Sequence, residues 1–319
     1  MVRVETMSPI STIGSLTVSR VGLGCNNFGR AGSFTRDLAG TRAVIDAAIE
    51  QGVTFFDTAA LYGGPESLSE TLIGKALEGR RDEVVIATKF GHTSGPEPRT
   101  WGARGSRDFI RAAVDASLLR LQTDRIDLFQ LHEPDPDTPI QETLGALAEL
   151  VEEGKVREIG HSNFDATMTR AADDHARTSG GPRFVTAQNE YSLLKRGVED
   201  GLIAALEERG LGLLPYFPLA SGLLTGKYRK SSAPEGSRLA ARLDSVTAET
   251  WQRLGEYDEA TRSLGITPVE ATFGWLLAQP VVTSVIAGAT TPEQVAANAA
   301  AGQTVLDETA VRKIERIFA

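Results

Sequence analysis

Short apolar runs rich in Val, Ile and Phe recur along the chain and alternate with segments of helical period. Eight runs have the length of a strand, at residues 18–23, 53–56, 84–88, 126–131, 156–160, 184–188, 211–216 and 281–286. Helix-period segments between them stop at glycine: 42–51 before Gly52, 66–78 before Gly79, 140–153 before Gly154 and 201–209 before Gly210. In residues 106–121 the apolar Ile110, Val114, Leu118 and Leu121 form one helical stripe. A last helix is expected at 309–318. Three helix starts share a pattern, Thr138-Pro139-Ile140-Gln141, Thr267-Pro268-Val269-Glu270 and Thr291-Pro292-Glu293-Gln294. Each predicts an N-cap Thr, Pro at the first helical position and a capping-box Glu or Gln.

Regular strand–helix alternation implies a parallel sheet covered by helices. Eight units over 319 residues favour a closed (β/α)8 barrel of the TIM type, an α/β fold. The expected form carries an N-terminal β-hairpin and long active-face loops, at 90–105 and 228–243. The rival is a doubly wound dinucleotide-binding sheet, which requires G-x-G-x-x-G after its first strand. The candidate, Gly22-Leu23-Gly24-Cys25-Asn26-Asn27, has Asn where the third glycine belongs and no helix pattern behind it. No linker, repeat or low-complexity stretch interrupts the chain, which predicts one domain over 1–319.

Composition changes this picture little. With 41% hydrophobic and 24% charged residues the chain is ordinary for a globular protein. A formal net charge of −9 argues against a nucleic-acid surface, which needs excess Lys and Arg to meet phosphates. No uncharged apolar run approaches the roughly 18 residues of a membrane span; the best, at 273–278, is broken by Gln279-Pro280. The first ten residues lack the basic and apolar regions of a secretory signal, so a cytoplasmic location is expected. Cys25 is the single cysteine, and no Cys/His cluster has metal-site spacing.

Three successive apolar runs end on an ionisable side chain: Asp57, Lys89 and His132. Tyr62 follows Asp57 by five residues. Singly, Asp57 reads as a turn cap, Lys89 as a solvated strand end, His132 as a core histidine and Tyr62 as loop packing. In a barrel, however, the strand ends converge on one face, where such residues are catalytic more often than structural. The four suit protonation of an oxygen that becomes an alkoxide. A nearby ammonium, Lys89, is expected to lower the pKa of Tyr62, and Asp57 to hold that ammonium in place. His132 can orient the carbonyl or assist the proton's passage. None of the four supplies a hydride, so the chemistry calls for a nicotinamide cofactor.

Over nearly its whole length the sequence resembles the aldo-keto reductases. The matching motifs are Phe56-Asp57-Thr58-Ala59-x-x-Tyr62-Gly63, Thr88-Lys89, Leu131-His132, Gly160-His161-Ser162-Asn163-Phe164 and Gln188-x-x-Tyr191-Ser192. Two further matches run from Tyr216 to Lys227 and from Gly288 to Asn298. The resemblance implies NADPH extended across the C-terminal face of the barrel, with Asp57, Tyr62, Lys89 and His132 as a catalytic tetrad and Tyr62 as proton donor.

The resemblance also assigns roles to the later motifs. Ser162, Asn163 and Gln188 would bond the nicotinamide carboxamide, and Tyr216 would stack on the ring. Phe217 stands where serine is frequent in the family. Pro218, Leu219, Ala220, Ser221, Gly222 and Lys227 would wrap the pyrophosphate. Gly24, Cys25, Asn26 and Asp57 would complete the cofactor cradle. Gly288, Thr290, Gln294 and Asn298 would meet the adenosine end at a helix start. That stretch has no Lys or Arg for a 2′-phosphate, a part Arg238 could take; NADPH is nonetheless expected over NADH.

His161 reads as a strand-end variant, His175 as a surface residue and His92 as a loop residue that could line the pocket. Phe28, Phe34, His92 and Trp101 are the candidate substrate contacts, and the expected substrate is a small aldehyde or ketone. Two other classes fit parts of the pattern. A cofactor-binding redox sensor like the potassium-channel β subunits, which this subgroup resembles, would keep the same tetrad. A carboxylate-pair hydrolase using Asp57 and Glu133 would leave Lys89, Tyr62 and the cofactor motifs without purpose.

Overall fold

The computed structural model describes residues 9–230, 232 and 239–319. The chain opens with a hairpin of β1 (Ile10–Ile13) and β2 (Leu16–Ser19), turned at Gly14, whose φ is 53°. The hairpin's buried face, Ile13, Leu16 and Val18, packs against Phe55, Ala87, Leu128, Leu214 and Ile286, which point inward from the barrel strands. It therefore plugs the barrel's N-terminal mouth, and each such apolar side chain contributes about 1.5–3 kcal/mol by leaving water.

The barrel follows as β3 (Val21–Gly24), α1 (Leu38–Glu50), β4 (Phe55–Asp57), α2 (Leu68–Ala76), β5 (Val85–Phe90), α3 (Arg107–Leu121) and β6 (Ile126–Leu131). Next come α4 (Ile140–Glu152), β7 (Val156–Ser162), α5 (Ala166–Ser179), β8 (Phe184–Glu190), α6 (Leu202–Arg209) and β9 (Gly212–Tyr216). The rest is α7 (Ala248–Leu264), α8 (Pro268–Leu277), β10 (Val285–Gly288), α9 (Pro292–Ala301) and α10 (Glu308–Phe318). Strands β3 to β9 pair in sequence order, all parallel, and β10 pairs with β3. The ring closes at one parallel bridge between Leu213 and Val282. There Leu213 N donates to Val281 O at 2.7 Å and Thr283 N to Leu213 O at 3.0 Å. The expected (β/α)8 barrel with its hairpin is what the chain forms.

Local details depart from expectation. The apolar run 18–23 is cut at Arg20 and serves two elements, the hairpin and β3. Ser19 makes the break: its hydroxyl donates to Val21 O at 2.7 Å and accepts from the amides of Thr54 and Phe55. The run 281–286 is likewise divided between the closing bridge and β10.

The three predicted helix starts have three outcomes. Thr267 and Glu270 form the full reciprocal box at α8. Thr291 caps α9, but Gln294 turns its Oε1 to Thr290 N at 2.8 Å instead. Thr138 caps nothing, because its hydroxyl donates to Asp135 Oδ2 at 2.7 Å, the oxygen that also accepts from Gly105 N. Among the described residues no helix is long and apolar enough to cross a membrane.

Candidate active site

Adjacent strands deliver the polar side chains to one end of the barrel. Asp57 is the last residue of β4, Lys89 lies one residue before the end of β5, and His132 directly follows β6. Tyr62 is positioned by a tight loop after β4. Thr58 N donates to Ala87 O, Ala60 N to Lys89 O and Ser67 Oγ to Ala60 O at 2.6 Å. Gly63, at φ 84°, permits the turn; a Cβ there would come within 2.6 Å of Ser69 N.

Lys89 is fully buried, at 0% exposure. Its Nζ donates to Asp57 Oδ1 at 2.8 Å, Asp57 Oδ2 at 2.7 Å and Thr58 O at 2.8 Å, and it also hydrogen-bonds the Tyr62 side chain. Burial pulls the lysine down, but the Asp57 charge and Tyr62 outweigh it and hold its pKa above the ordinary value. Asp57 Oδ1 accepts two further bonds, from Gln188 Nε2 at 2.8 Å and from Gln130 Nε2 at 3.4 Å. Register places Gln130 beside Lys89 across β5 and β6.

The Lys89 ammonium lies 5.2 Å from the centroid of the Tyr62 ring. It lowers the phenol's pKa, as expected, but burial raises it by more, and Asp57 adds to the rise. Tyr62 thus sits above the usual tyrosine range, contrary to the expected lowering, because desolvation of a phenolate outweighs one nearby cation. The His132 ring meets Tyr62 edge-on at 6.1 Å. Burial, with Lys89 and His92 nearby, pushes the His132 pKa down to about 2, so the imidazole is neutral.

On the far side of the barrel Ser162, Asn163, Gln188 and Tyr216 form one hydrogen-bonded group. Ser162 Oγ donates to Gln188 O at 2.7 Å and Asn163 Nδ2 to His132 O at 3.0 Å. Tyr216 Oη donates to Asn163 Oδ1 at 2.9 Å. Asn163 adopts φ 61° to make these contacts. Burial lifts the Tyr216 pKa to about 12. Phe217 is exposed with its ring edge-on to Tyr216 at 5.4 Å.

Beyond Phe217 the backbone winds tightly, with positive φ at Phe217, Ala220, Ser221 and Gly222. The step from Leu219, at φ −95°, to Ala220, at φ 47°, turns successive amide groups toward a common point, a geometry that suits an anion. Pro218 is buried beneath the loop, and Leu219 and Ala220 are half-buried. Lys227 Nζ lies 3.3 Å from where a Gly222 Cβ would stand, so the ammonium hangs over this loop.

Gly24 pairs with Gly288, and a Cβ on Gly24 would come within 3.3 Å of Gly288 N. Asn26 and Asn27 flank Gly288. Cys25 is buried, its amide donating to Asp57 O at 2.8 Å, and burial pushes its thiol pKa up. Thr290 and Gln294 bond each other, and Asn298 is buried on α9. Arg238 lies outside the described residues.

The candidate substrate contacts scatter. Phe28 is buried in the core and has no surface to offer, and Trp101 turns inward against Phe109, with ring centroids 5.8 Å apart. Phe34 is exposed. His92 stands against His132, with ring centroids 4.7 Å apart. His161 lies one residue before the end of β7, buried and stacked on Phe164 at 4.5 Å, and burial pushes its pKa down to about 3. Gln130, inside the apolar run of β6, has no signal in the sequence; only its register pairing with Lys89 across β5 and β6 brings it to the site.

A parallel eight-stranded barrel that buries an Asp–Lys pair beside a tyrosine and a neutral histidine at its strand ends belongs with the barrel oxidoreductases. The chain is a member of the aldo/keto reductase family, which it matches over residues 20–319. It is 38% identical to the oxidoreductase YrpG of Bacillus subtilis over 310 residues, covering 95% of this chain and 93% of the relative. It is 35% identical to aldo-keto reductase str7 of Strobilurus tenacellus, covering 97% and 91%. Identity to the L-glyceraldehyde 3-phosphate reductase of Escherichia coli is 34%, over 86% of this chain and 80% of that one.

Proposed function

We propose that the chain is a single-domain, cytoplasmic reductase that uses NADPH to convert a small aldehyde or ketone to the alcohol, with Tyr62 as the acid. The observation that carries this reading is the fully buried Lys89, locked on Asp57 and 5.2 Å from the Tyr62 ring. Such a pair is costly to bury, and it makes chemical sense where negative charge must form on an adjacent phenol.

The residues fit a nicotinamide dinucleotide. Gln188 spends its amide protons' side on Asp57, which leaves Oε1 to accept from a carboxamide. The positive-φ backbone from Phe217 to Gly222, with Lys227 above it, suits phosphate oxygens. The start of α9, with Thr290 and Gln294, suits the adenosine end. When bound, the reduced nicotinamide supplies the hydride that the carbonyl carbon accepts.

Tyr62 Oη gives its proton to the carbonyl oxygen. Its high pKa keeps that proton in place until charge develops, and Lys89 then stabilises the tyrosinate. Neutral His132 offers the oxygen a hydrogen bond without placing a second cation beside Lys89. The E. coli relative's name, a glyceraldehyde phosphate reductase, supports an aldehyde as the substrate class.

The test is the absorbance at 340 nm of NADPH mixed with the protein and 4-nitrobenzaldehyde, run beside Tyr62→Phe and beside NADH. Decay that depends on aldehyde and is lost in Tyr62→Phe is expected, faster with NADPH. Tight NADPH binding without decay would favour a redox sensor, and no binding would sink the reading.

A further inference from the structure

The imidazole of His132 has a buried Nδ1 with no hydrogen-bond partner among the described residues. A neutral imidazole that must aim a hydrogen bond at a reacting oxygen needs its ring fixed by something. The neighbours are two rings, Tyr62 at 6.1 Å and His92 at 4.7 Å, both edge-on. His92 lies the closer, and it belongs to the loop after β5.

His92 is itself clamped. Ser94 N donates to its Nδ1 at 3.0 Å, which puts the ring proton on Nε2, and Nε2 stands 3.2 Å from Glu133 Oε1. Glu133 follows His132 directly in the chain. Its other oxygen accepts from Thr93 N at 2.8 Å and from Arg104 Nη1 at 3.3 Å. Arg104 also donates to Gly91 O at 2.9 Å, closing the loop back on the end of β5. Both nitrogens of His92 are therefore committed within this cluster, and the side chain has no polar atom left for a substrate.

We infer that His92 is a positioning residue for His132, held by Ser94, Glu133 and Arg104 so that its ring braces the catalytic imidazole. The inference rests on the carbonyl-reductase reading above. The brace works by contact of ring on ring, since no hydrogen bond joins the two histidines. A side chain that restores the ring should restore the function, and one that removes it should not.

The experiment compares wild type, His92→Ala and His92→Phe in steady-state reduction of 4-nitrobenzaldehyde, with the NADPH Kd measured separately by fluorescence titration. Loss of kcat by about tenfold in His92→Ala is expected, within the roughly hundredfold that a 1 Å misplacement can cost. His92→Phe should recover most of that loss, with Kd for NADPH unchanged in both. A His92→Ala enzyme with wild-type kcat, or a His92→Phe enzyme as slow as it, would overturn the brace. An inactive wild type would instead strike at the reductase reading. In that event the 15N-imidazole spectrum of His132 in the free protein still decides: its resonances should shift in His92→Ala and hold in His92→Phe, and unshifted resonances in His92→Ala would overturn the inference.

Discussion

Gln188 Nε2 donates to Asp57 Oδ1 at 2.8 Å, so a side chain from β8 is tied to the carboxylate at the end of β4, across the barrel. The bond fixes the amide's orientation and leaves its oxygen as an acceptor. If Gln188 holds the carboxamide as proposed, replacing it by Leu would remove one hydrogen bond, about 1–1.5 kcal/mol, and should weaken NADPH binding by about tenfold. Gln188→Glu should be worse, because it sets a second buried carboxylate against Asp57. Fluorescence titration measures both, and an unchanged Kd in Gln188→Leu would take Gln188 out of the cofactor site.

The Asp57–Lys89 pair predicts a non-additive stability pattern. Lys89→Met strands a buried carboxylate and should cost about 3–5 kcal/mol, as should the converse loss in Asp57→Asn. The double variant removes both charges and should cost far less than the two singles combined. Urea midpoints report this directly. Additive losses would mean that the pair is not a coupled buried unit, and all three variants should be inactive as reductases.

His161 predicts acid sensitivity. Its native pKa, about 3, lies far below the ordinary histidine value. As pH falls through about 6.5, the unfolded chain takes up this proton and the native protein does not, so stability declines. The decline amounts to about 2 kcal/mol per such histidine by pH 5. His132 behaves alike, so His161→Phe, which keeps the stacking on Phe164, should lessen the loss between pH 7 and 5 without abolishing it. An equal loss of urea-unfolding free energy between pH 7 and 5 in the two proteins would refute the assignment.

Much of this architecture is legible in the linear chain because buried strands leave unbroken apolar runs. Residues 126–131 are bounded in the structure as the pattern bounds them. Asp57, Lys89 and His132 stand out because an ionisable residue ending an apolar run is conspicuous. What the pattern hides depends on tertiary geometry. Gln130 lies inside an apolar run, and only the pairing of β5 with β6 puts it beside Lys89. The elevation of Tyr62 follows from burial, which no local spacing reports. Thr138 has a helix-capping sequence, yet Asp135 captures its hydroxyl. Trp101 sits in an active-face loop, but Phe109 at the start of α3 draws its ring inward. The cut at Arg20 is hard to read because no turn residue accompanies Ser19 and Arg20; it is made by the Ser19 hydroxyl, which donates to Val21 O and accepts from the amides of Thr54 and Phe55.

The ring of strands is joined by pairings of unequal extent. Five residue pairs link β6 to β7, whereas a single bridge, Leu213 with Val282, closes the circle beside β9. The segments proposed to hold the dinucleotide leave from the two sides of that closure: residues 217–227 follow β9, and 290–298 follow β10. A molecule gripped by both acts as a rivet across the weakest joint. Its binding energy would then resist the unzipping of the cylinder itself, and the amides of Leu213 and Thr283 would exchange with solvent more slowly in its presence.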